Sequence, residues 1–372
     1  MIQRLRSGIA AALLSGAATL PAQTLDLETR CNLPSTLPES SGLTTLNGGQ
    51  TWWTHNDGGN GAFLYELDTN CQVIRTLTLQ DAPNKDWEDL THDDQGRLYI
   101  GDFGNNENDR TNLRIFIVPN PDSLAGDSVV PGKITFQYAD QPGFPPAADR
   151  LHYDMEAMVW LQDTLHLFSK NRTQPFSGYT RHYKLPAIPG DYSISPSDSF
   201  LTGTGSNLQY WITGAALSPE GRILALMSSD RLWTFTGYSG SAFFKGQVQA
   251  WTLSGSYTQK EAVAFQDSVT LAFTDEKLFG TGGKLYKAVL PVTTGIPAGI
   301  YLRMFPNPAD DSVIIQHPDQ ATIQLFAPSG HRLYETFRPV RGELTLDVSS
   351  LPRGVYLVRV NNKSARLLIR HP

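Results

Sequence analysis

Cysteine is almost absent from this chain of 372 residues: only Cys31 and Cys71 occur. An even pair suits one disulfide in an oxidising compartment, with two buried thiols as the alternative, and catalysis by a cysteine nucleophile is not expected. No block of Lys or Arg stands out and the net charge is −6. That argues against nucleic acid or an anionic membrane as partner, since either needs a basic footprint. Beyond the N-terminus, no apolar run is long enough to cross a bilayer. Long helical periodicity is missing as well. So are the Gly-x-Ser-x-Gly elbow, the His-Glu-x-x-His zinc helix, a phosphate-cradling glycine loop before a helix, and the spacing of an EF-hand. What remains is a globular composition, 40% apolar and 18% charged, rich in Gly (32), Pro (24) and aromatics. Such a balance suits short strands joined by many turns.

The first residues read as a secretory signal. Arg4 and Arg6 form a positive start, Ile9 to Leu20 an apolar stretch too short to span a membrane comfortably, and Ala22 a small residue before a cut at Gln23. The boundaries expected are a signal peptide over 1–22, a main domain over 23–290, a Thr/Gly/Pro linker over 291–300, and a strand-rich tail over 301–372. After signal removal no transmembrane segment is left.

Strand-like alternation dominates from Leu25 to Leu290, and a unit of strand, tight polar turn and strand recurs. Its five starts are Glu39, Glu88, Glu156, Thr213 and Glu261, spaced 49, 68, 57 and 48 residues apart. A period of that size with about four strands per unit is the signature of a β-propeller. Five blades are favoured; a sixth, irregular blade between Asp140 and Asp154 is the alternative. The fifth unit ends one strand short at Leu290, and Leu25–Leu33 can supply the missing strand. Ring closure of this kind leaves no open sheet edge. The tail from Tyr301 to Pro372 reads as a small β-sandwich, so the fold class is all-β throughout.

One spacing carries chemistry. Glu88 and Asp102 are 14 residues apart, as are Glu156 and Lys170, and Glu261 and Asp275. Each pair is centred on a hairpin turn, which predicts that its members stand opposite one another at the open end of the hairpin. Glu39 and Asp57 repeat this around a longer turn. Because the first strand of each blade lines the central channel, Glu39, Glu88, Glu156 and Glu261 should converge on one rim. Converging carboxylates repel unless neutralised. A Ca²⁺ ion with its six to eight oxygen ligands would neutralise them. Raised pKa values, or salt bridges to Lys170 and nearby arginines, are the competing solution. Equally, each Glu can bind backbone N–H groups of the next blade and simply hold the ring together. Thr213 in the fourth unit breaks the symmetry of any ion cage.

Two loops enrich the same rim: His55 to Asn60, and Asp102 to Asp109 with Asn105 among its amides. They can coordinate a hard cation or serve as plain turns. His55, His92 and His152 each lie near a carboxylate and could act as a general base, although a lone histidine is more often structural.

The tail carries a specific likeness. Phe305-Pro306-Asn307-Pro308-Ala309, Ile323 to Phe326, Gly330, Leu346 to Val358 with Gly354 and Tyr356, and Leu367 to Arg370 resemble the type A sorting domain of the type IX secretion system. The resemblance implies passage through the periplasm and across the outer membrane of a Bacteroidota-type bacterium. It also implies contact with the type IX machinery, removal of the tail by a surface sortase, and release or attachment to surface lipopolysaccharide. The propeller more distantly resembles the phytase-like esterases, through Glu39 to Leu43, Asp86 to Leu90, Asp154 to Met158 and Glu261 to Val263. No cluster of basic phosphate-binding residues accompanies those motifs.

Three functions follow as expectations. The first is a secreted or cell-surface propeller that binds an unidentified ligand or partner at an acidic channel rim, with Ca²⁺ as the cofactor. The second is a metal-dependent esterase or phosphoesterase with Glu88 and Glu156 holding the ion. The third is a structural adhesin. Ligand or metal candidates are Glu39, Asp57, Glu88, Asp102, Asn105, Glu156, Glu261 and Asp275.

Overall fold

A computed structural model describes residues 23–291, 304–317, 321–340, 342–361 and 363–370. The expected signal segment and, beyond Pro291, the linker lie outside these residues. The chain divides into two compact units, up to Pro291 and from Val292 onward.

The first unit holds five antiparallel sheets in chain order. Blade 1 comprises Ser40–Thr44, Trp52–Asn56, Phe63–Leu67 and Val73–Leu79. Blade 2 comprises Trp87–His92, Leu98–Asp102, Leu113–Val118 and Gly132–Tyr138. Blade 3 uses Asp154–Leu161, Thr164–Lys170, Tyr179–Pro186 and Asp198–Leu201. Blade 4 uses Gly214–Leu217, Ile223–Met227, Arg231–Thr236 and Gln247–Leu253. Blade 5 has only three consecutive strands, Lys260–Phe265, Thr270–Asp275 and Lys284–Val289; Glu28–Asn32 pairs antiparallel with the last and completes it. The first strand of each blade contacts the first strands of both neighbours all the way round, so the ring is closed. This is a five-bladed β-propeller.

Period-two alternation has a direct consequence here. Along Ile223–Met227, Leu224 and Leu226 pack toward blade 3 while Ala225 and Met227 pack toward blade 5. Each blade therefore buries both faces, and five hydrophobic clusters sit between successive blades. The innermost strands are buried along nearly their whole length. Outer edges of blades 1, 2 and 4 are covered by short parallel strands, Ser128–Val129, Gly190–Ile194 and Gln23–Leu25. Covering an edge removes a template for unwanted pairing.

Cys31, on the strand that closes blade 5, is bonded to Cys71, in the turn between the last two strands of blade 1; their Cα atoms are 6.0 Å apart. The bond thus straddles the seam of the ring.

In the second unit, a three-stranded sheet (Met304–Phe305, Ser312–His317, Gly342–Asp347) faces a four-stranded one (Arg332–Arg338, Ala321–Phe326, Gly354–Val360, Lys363–Ile369). Val313, Ile315, Leu344 and Leu346 of one sheet share a core with Ile323, Leu325, Val358 and Leu367 of the other. That is a small β-sandwich.

Candidate functional site

Register decides where the glutamates point. In blades 2, 3 and 5 the pairing of the first two strands slips by one residue, between Trp87 and Asp89, Met155 and Ala157, and Lys260 and Ala262. The extra residue is a glutamate each time. Hence Trp87, Asp154 and Lys260, and not Glu88, Glu156 and Glu261, stand opposite Asp102, Lys170 and Asp275. Symmetric spacing predicts the wrong partners because a β-bulge inserts a residue that the spacing cannot reveal. A bulge re-aims its side chain, and these three carboxylates line one cavity of about 240 Å³. Residues of all five blades line it, among them Asp57, Glu88, Glu156, Lys170, Thr213 and Glu261, so it lies on the ring axis.

Blade 1 departs from the pattern. Its bulged residue is Ser41, and Glu39 lies two positions earlier. Glu39 does meet Asp57 at the hairpin mouth, where the Asp57 N–H donates to the Glu39 carbonyl at 2.8 Å. Its carboxylate, however, accepts from the Asn60 amide at 2.6 Å and is not part of the cavity lining.

The cavity has two electrostatic walls. On one, Lys170 donates to Glu156 at 2.8 Å, and Arg172 bonds Asp154 at 2.6 Å and lies 3.7 Å from Glu156. Burial alone pushes the Lys170 ammonium down, but Glu156 and Glu261 outweigh it and hold its pKa above the usual range. The expected salt bridge to Lys170 thus exists for one glutamate.

On the other wall, Asp57 and Glu88 line the cavity and Asp86 lies behind them, the three offering oxygens all within 4.8 Å of one another, with Arg110 3.9 Å from Asp86. Glu88 is 5% exposed. Among the described residues no group donates a hydrogen bond to its carboxylate. Burial, then repulsion from Glu156, Asp57 and Asp86, raises its pKa well above the ordinary value. Burial and then Asp57 push Asp86 up to about 6. Burial also raises Asp57 and takes Glu261 up to about 7. Two loops close over this wall through glycines. A Cβ on Gly104 would fall 2.0 Å from Glu88 Oε1, and one on Gly58 would fall 2.4 Å from Asp86 Oδ1. Asp86 is the residue that the repeat pattern did not single out; its signal was the Asp-x-Glu arrangement Asp86-Trp87-Glu88.

Other expected site residues face elsewhere. Asp102 is fully buried and pairs with Arg110, at 3.0 Å, and with Arg114. Asp275 accepts from the Lys284 N–H and the Tyr286 hydroxyl. Asn105 receives the Arg110 N–H, and its own N–H donates to Asp154, tying blade 2 to blade 3. Their demands are met within the fold. His55, His92 and His152 do not line the cavity. Burial lowers all three, His55 and His152 to about 4.

Backbone stapling between blades exists, but not through the glutamates. Asp89 accepts from Met158 N–H across the blade boundary at 2.7 Å, Ser41 Oγ donates to the Glu88 carbonyl, and Thr213 Oγ1 to that of Lys260. In the sandwich, the Asn307 side chain brackets the last strand through the Arg366 carbonyl and the Leu368 N–H. Tyr356, two residues after Gly354, is buried and donates to the Pro352 carbonyl, and Pro306 and Pro308 flank Asn307.

Comparison with known proteins places residues 303–370 in a family described as the secretion system C-terminal sorting domain. That segment is the type IX sorting tail, and it marks the protein for the cell surface or for secretion. No curated protein matches the chain. Among solved structures, PorZ, a surface component of the type IX system of Porphyromonas gingivalis, is similar at 13% identity and TM-score 0.33, over 89% of this chain and 45% of PorZ. The chain thus spans about half the length of that protein. A gluconolactonase from Xanthomonas campestris matches at 14% identity and TM-score 0.39, over 71% of this chain and 89% of its own. Regucalcin from Agrobacterium tumefaciens, a calcium-binding protein, matches at 10% and 0.39, over 72% and 95%.

Proposed function

We propose that this type IX-sorted propeller binds a ligand at its acidic channel mouth, and that Asp57, Asp86 and Glu88 hold a Ca²⁺ ion there. The observation that carries this reading is Glu88: a buried carboxylate without a hydrogen-bond donor, within 4.8 Å of two others. A divalent cation offsets that repulsion with hard oxygen ligands. Waters would complete the shell. The calcium-binding neighbour in structure agrees with the idea but does not carry it.

The test is a melting scan of the full chain with Ca²⁺ and with chelator, alongside metal analysis. At a hundredfold excess over Kd, binding stabilises by about 2.7 kcal/mol, a rise of roughly 5–10 °C for a domain of this size. The sign with pH follows from the raised carboxylates. Their folded pKa values exceed the unfolded ones, so metal-free stability is full below about pH 4.5. It falls as pH rises through about 6 for Asp86 and 7 for Glu261. The Ca²⁺ increment should therefore be large at pH 8 and small at pH 5. Glu88→Gln should abolish it while raising the melting temperature in chelator. No bound metal and identical melting with and without chelator would refute the site.

A further inference from the structure

An ion held by Asp57, Asp86 and Glu88 keeps part of its shell free. Each of the three offers one oxygen to the cluster, whereas Ca²⁺ takes about six to eight. The free positions open on the cavity, because Asp57 and Glu88 line it. Waters there can be displaced by a ligand that presents two neighbouring oxygens. Charge decides what kind of oxygen. The lining carries four carboxylates (Asp57, Glu88, Glu156, Glu261) against two cations, Lys170 and Arg172. A bound Ca²⁺ brings that lining to neutrality. A carboxylate, phosphate or amine ligand would then bury an uncompensated charge, and a neutral hydroxyl would not.

The other side of the ring carries a second open group. In a closed ring of five, blade 4 stands across from the boundary between blades 1 and 2, where the acidic cluster sits. Ser229 follows the second strand of blade 4, lines the cavity and is 5% exposed. Its carbonyl accepts from Lys260, but its hydroxyl has no hydrogen-bond partner among the described residues. A hydroxyl can donate and accept, and one left open at nine-tenths burial is a group that gains from a polar ligand. At the rim, Asn106 presents an exposed amide and Tyr257 a ring that is 53% exposed. Trp211 is less free, since the Arg172 guanidinium lies 4.7 Å from its centre. At about 30 Å³ of liquid per water, the 240 Å³ of the cavity equal roughly eight waters. That is room for one small ring and not for a chain of them.

We propose that the ligand is the terminal ring of a neutral glycan. Two adjacent hydroxyls of that ring complete the Ca²⁺ shell at Asp57, Asp86 and Glu88. A hydroxyl on its far side bonds the Ser229 hydroxyl, and its C–H face lies on Tyr257 at the rim. The rest of the glycan leaves through the mouth past Asn106. This rests on the calcium reading of the same site and adds the chemical class of what the ion holds.

The experiment titrates the full chain calorimetrically with the methyl glycosides of mannose, galactose, glucose and fucose, in Ca²⁺ and in chelator. At least one should bind in Ca²⁺ and lose at least tenfold in affinity in chelator. Methylating two adjacent hydroxyls of the best glycoside should cost at least tenfold. Its uronic acid and amino sugar counterparts should bind at least tenfold more weakly than the neutral ring. Ser229→Ala and Tyr257→Ser should each weaken it at least fivefold, with the Ca²⁺ rise in melting temperature unchanged. Glu88→Gln should remove both responses. A Ca²⁺ response without binding of any glycoside would overturn this proposal and leave the metal reading standing. Binding indifferent to chelator, preference for a charged sugar, or binding of the free reducing sugar without its methyl glycoside would also overturn it. Absence of any Ca²⁺ response would sink the metal reading, and this one with it.

Discussion

Reducing the Cys31–Cys71 bond should cost this propeller more than a typical core mutation. The bond encloses a segment of 40 residues. In the chain-entropy description, a closed loop of that length restrains the unfolded state by about 4 kcal/mol, between the ~3 expected for 15 residues and the ~4.7 for 100. For a unit of this size each kcal/mol shifts the midpoint by about 2–4 °C, so reduction should lower Tm by roughly 8–15 °C. Location adds a second effect. Cys31 lies on the strand that closes blade 5, and Cys71 is fully buried in the core shared by blades 5 and 1. Opening the bond therefore removes a tether on the seam that holds Glu261 of blade 5 beside Asp57 of blade 1. The assay is differential scanning of the oxidised chain, the same chain with a strong reductant, and Cys31→Ala/Cys71→Ala. Reductant and double variant should agree, and the double variant should show no further drop on reduction. A shift below about 2 °C in all three comparisons would refute the reasoning.

Two further outcomes follow from buried polar groups. His166 and His182 share a hydrogen bond of 2.8 Å inside a cage of Phe168 and Phe243, with Lys184 as the nearby cation and the Ser197 hydroxyl on the far ring. Burial lowers them to about 3 and about 2, so their stabilising neutral form is complete above the unfolded value of about 6.5 and lost as pH falls; each withheld proton costs about 1.4 kcal/mol per pH unit. In chelator, the urea midpoint of His166→Phe should gain on that of the unaltered chain as pH falls from 6 to 4.5; parallel profiles count against a neutral pair. Lys170→Met should destabilise by about 3 kcal/mol, because it removes the nearer of the two cations beside buried Glu156 and leaves Arg172 at 3.7 Å, and adding Glu156→Gln should recover most of it. A double variant no better than the single one would show that the pair is not coupled.

Much of the ring was legible because its physics is local. Alternation at period two survives in outer strands such as Gly132–Tyr138, the inner strands buried on both faces read as short apolar runs, and polar turns mark the hairpins. The closing strand was legible from a deficit: the last unit ended short, and Glu28–Asn32 fills the gap. The sandwich and its address were legible because Pro306-Asn307-Pro308 and Gly354-x-Tyr356 form a specific pattern, whose asparagine clamps the final strand.

The site was legible only in part, and the reason is the bulge. Spacing of 14 residues marks Glu88, Glu156 and Glu261 as equivalent, yet places each one residue out of register with the residue it was to face; Glu156 still reaches its Lys170 through the side chain. A bulge costs one residue of register and leaves no trace in composition. It also separates two jobs that spacing assigned to one residue: the neighbours Asp89 and Asp154 staple the blades, while the glutamates turn to the axis. Structural carboxylates such as Asp102 and Asp275 looked equally promising because arginines, tyrosines and backbone donors that satisfy them arrive from later strands. Glu88 differs from them only in lacking such a donor. That lack comes from three-dimensional packing, where Gly58 and Gly104 bring loops close without bringing a donor to Glu88, and it is the observation on which the proposed cation rests.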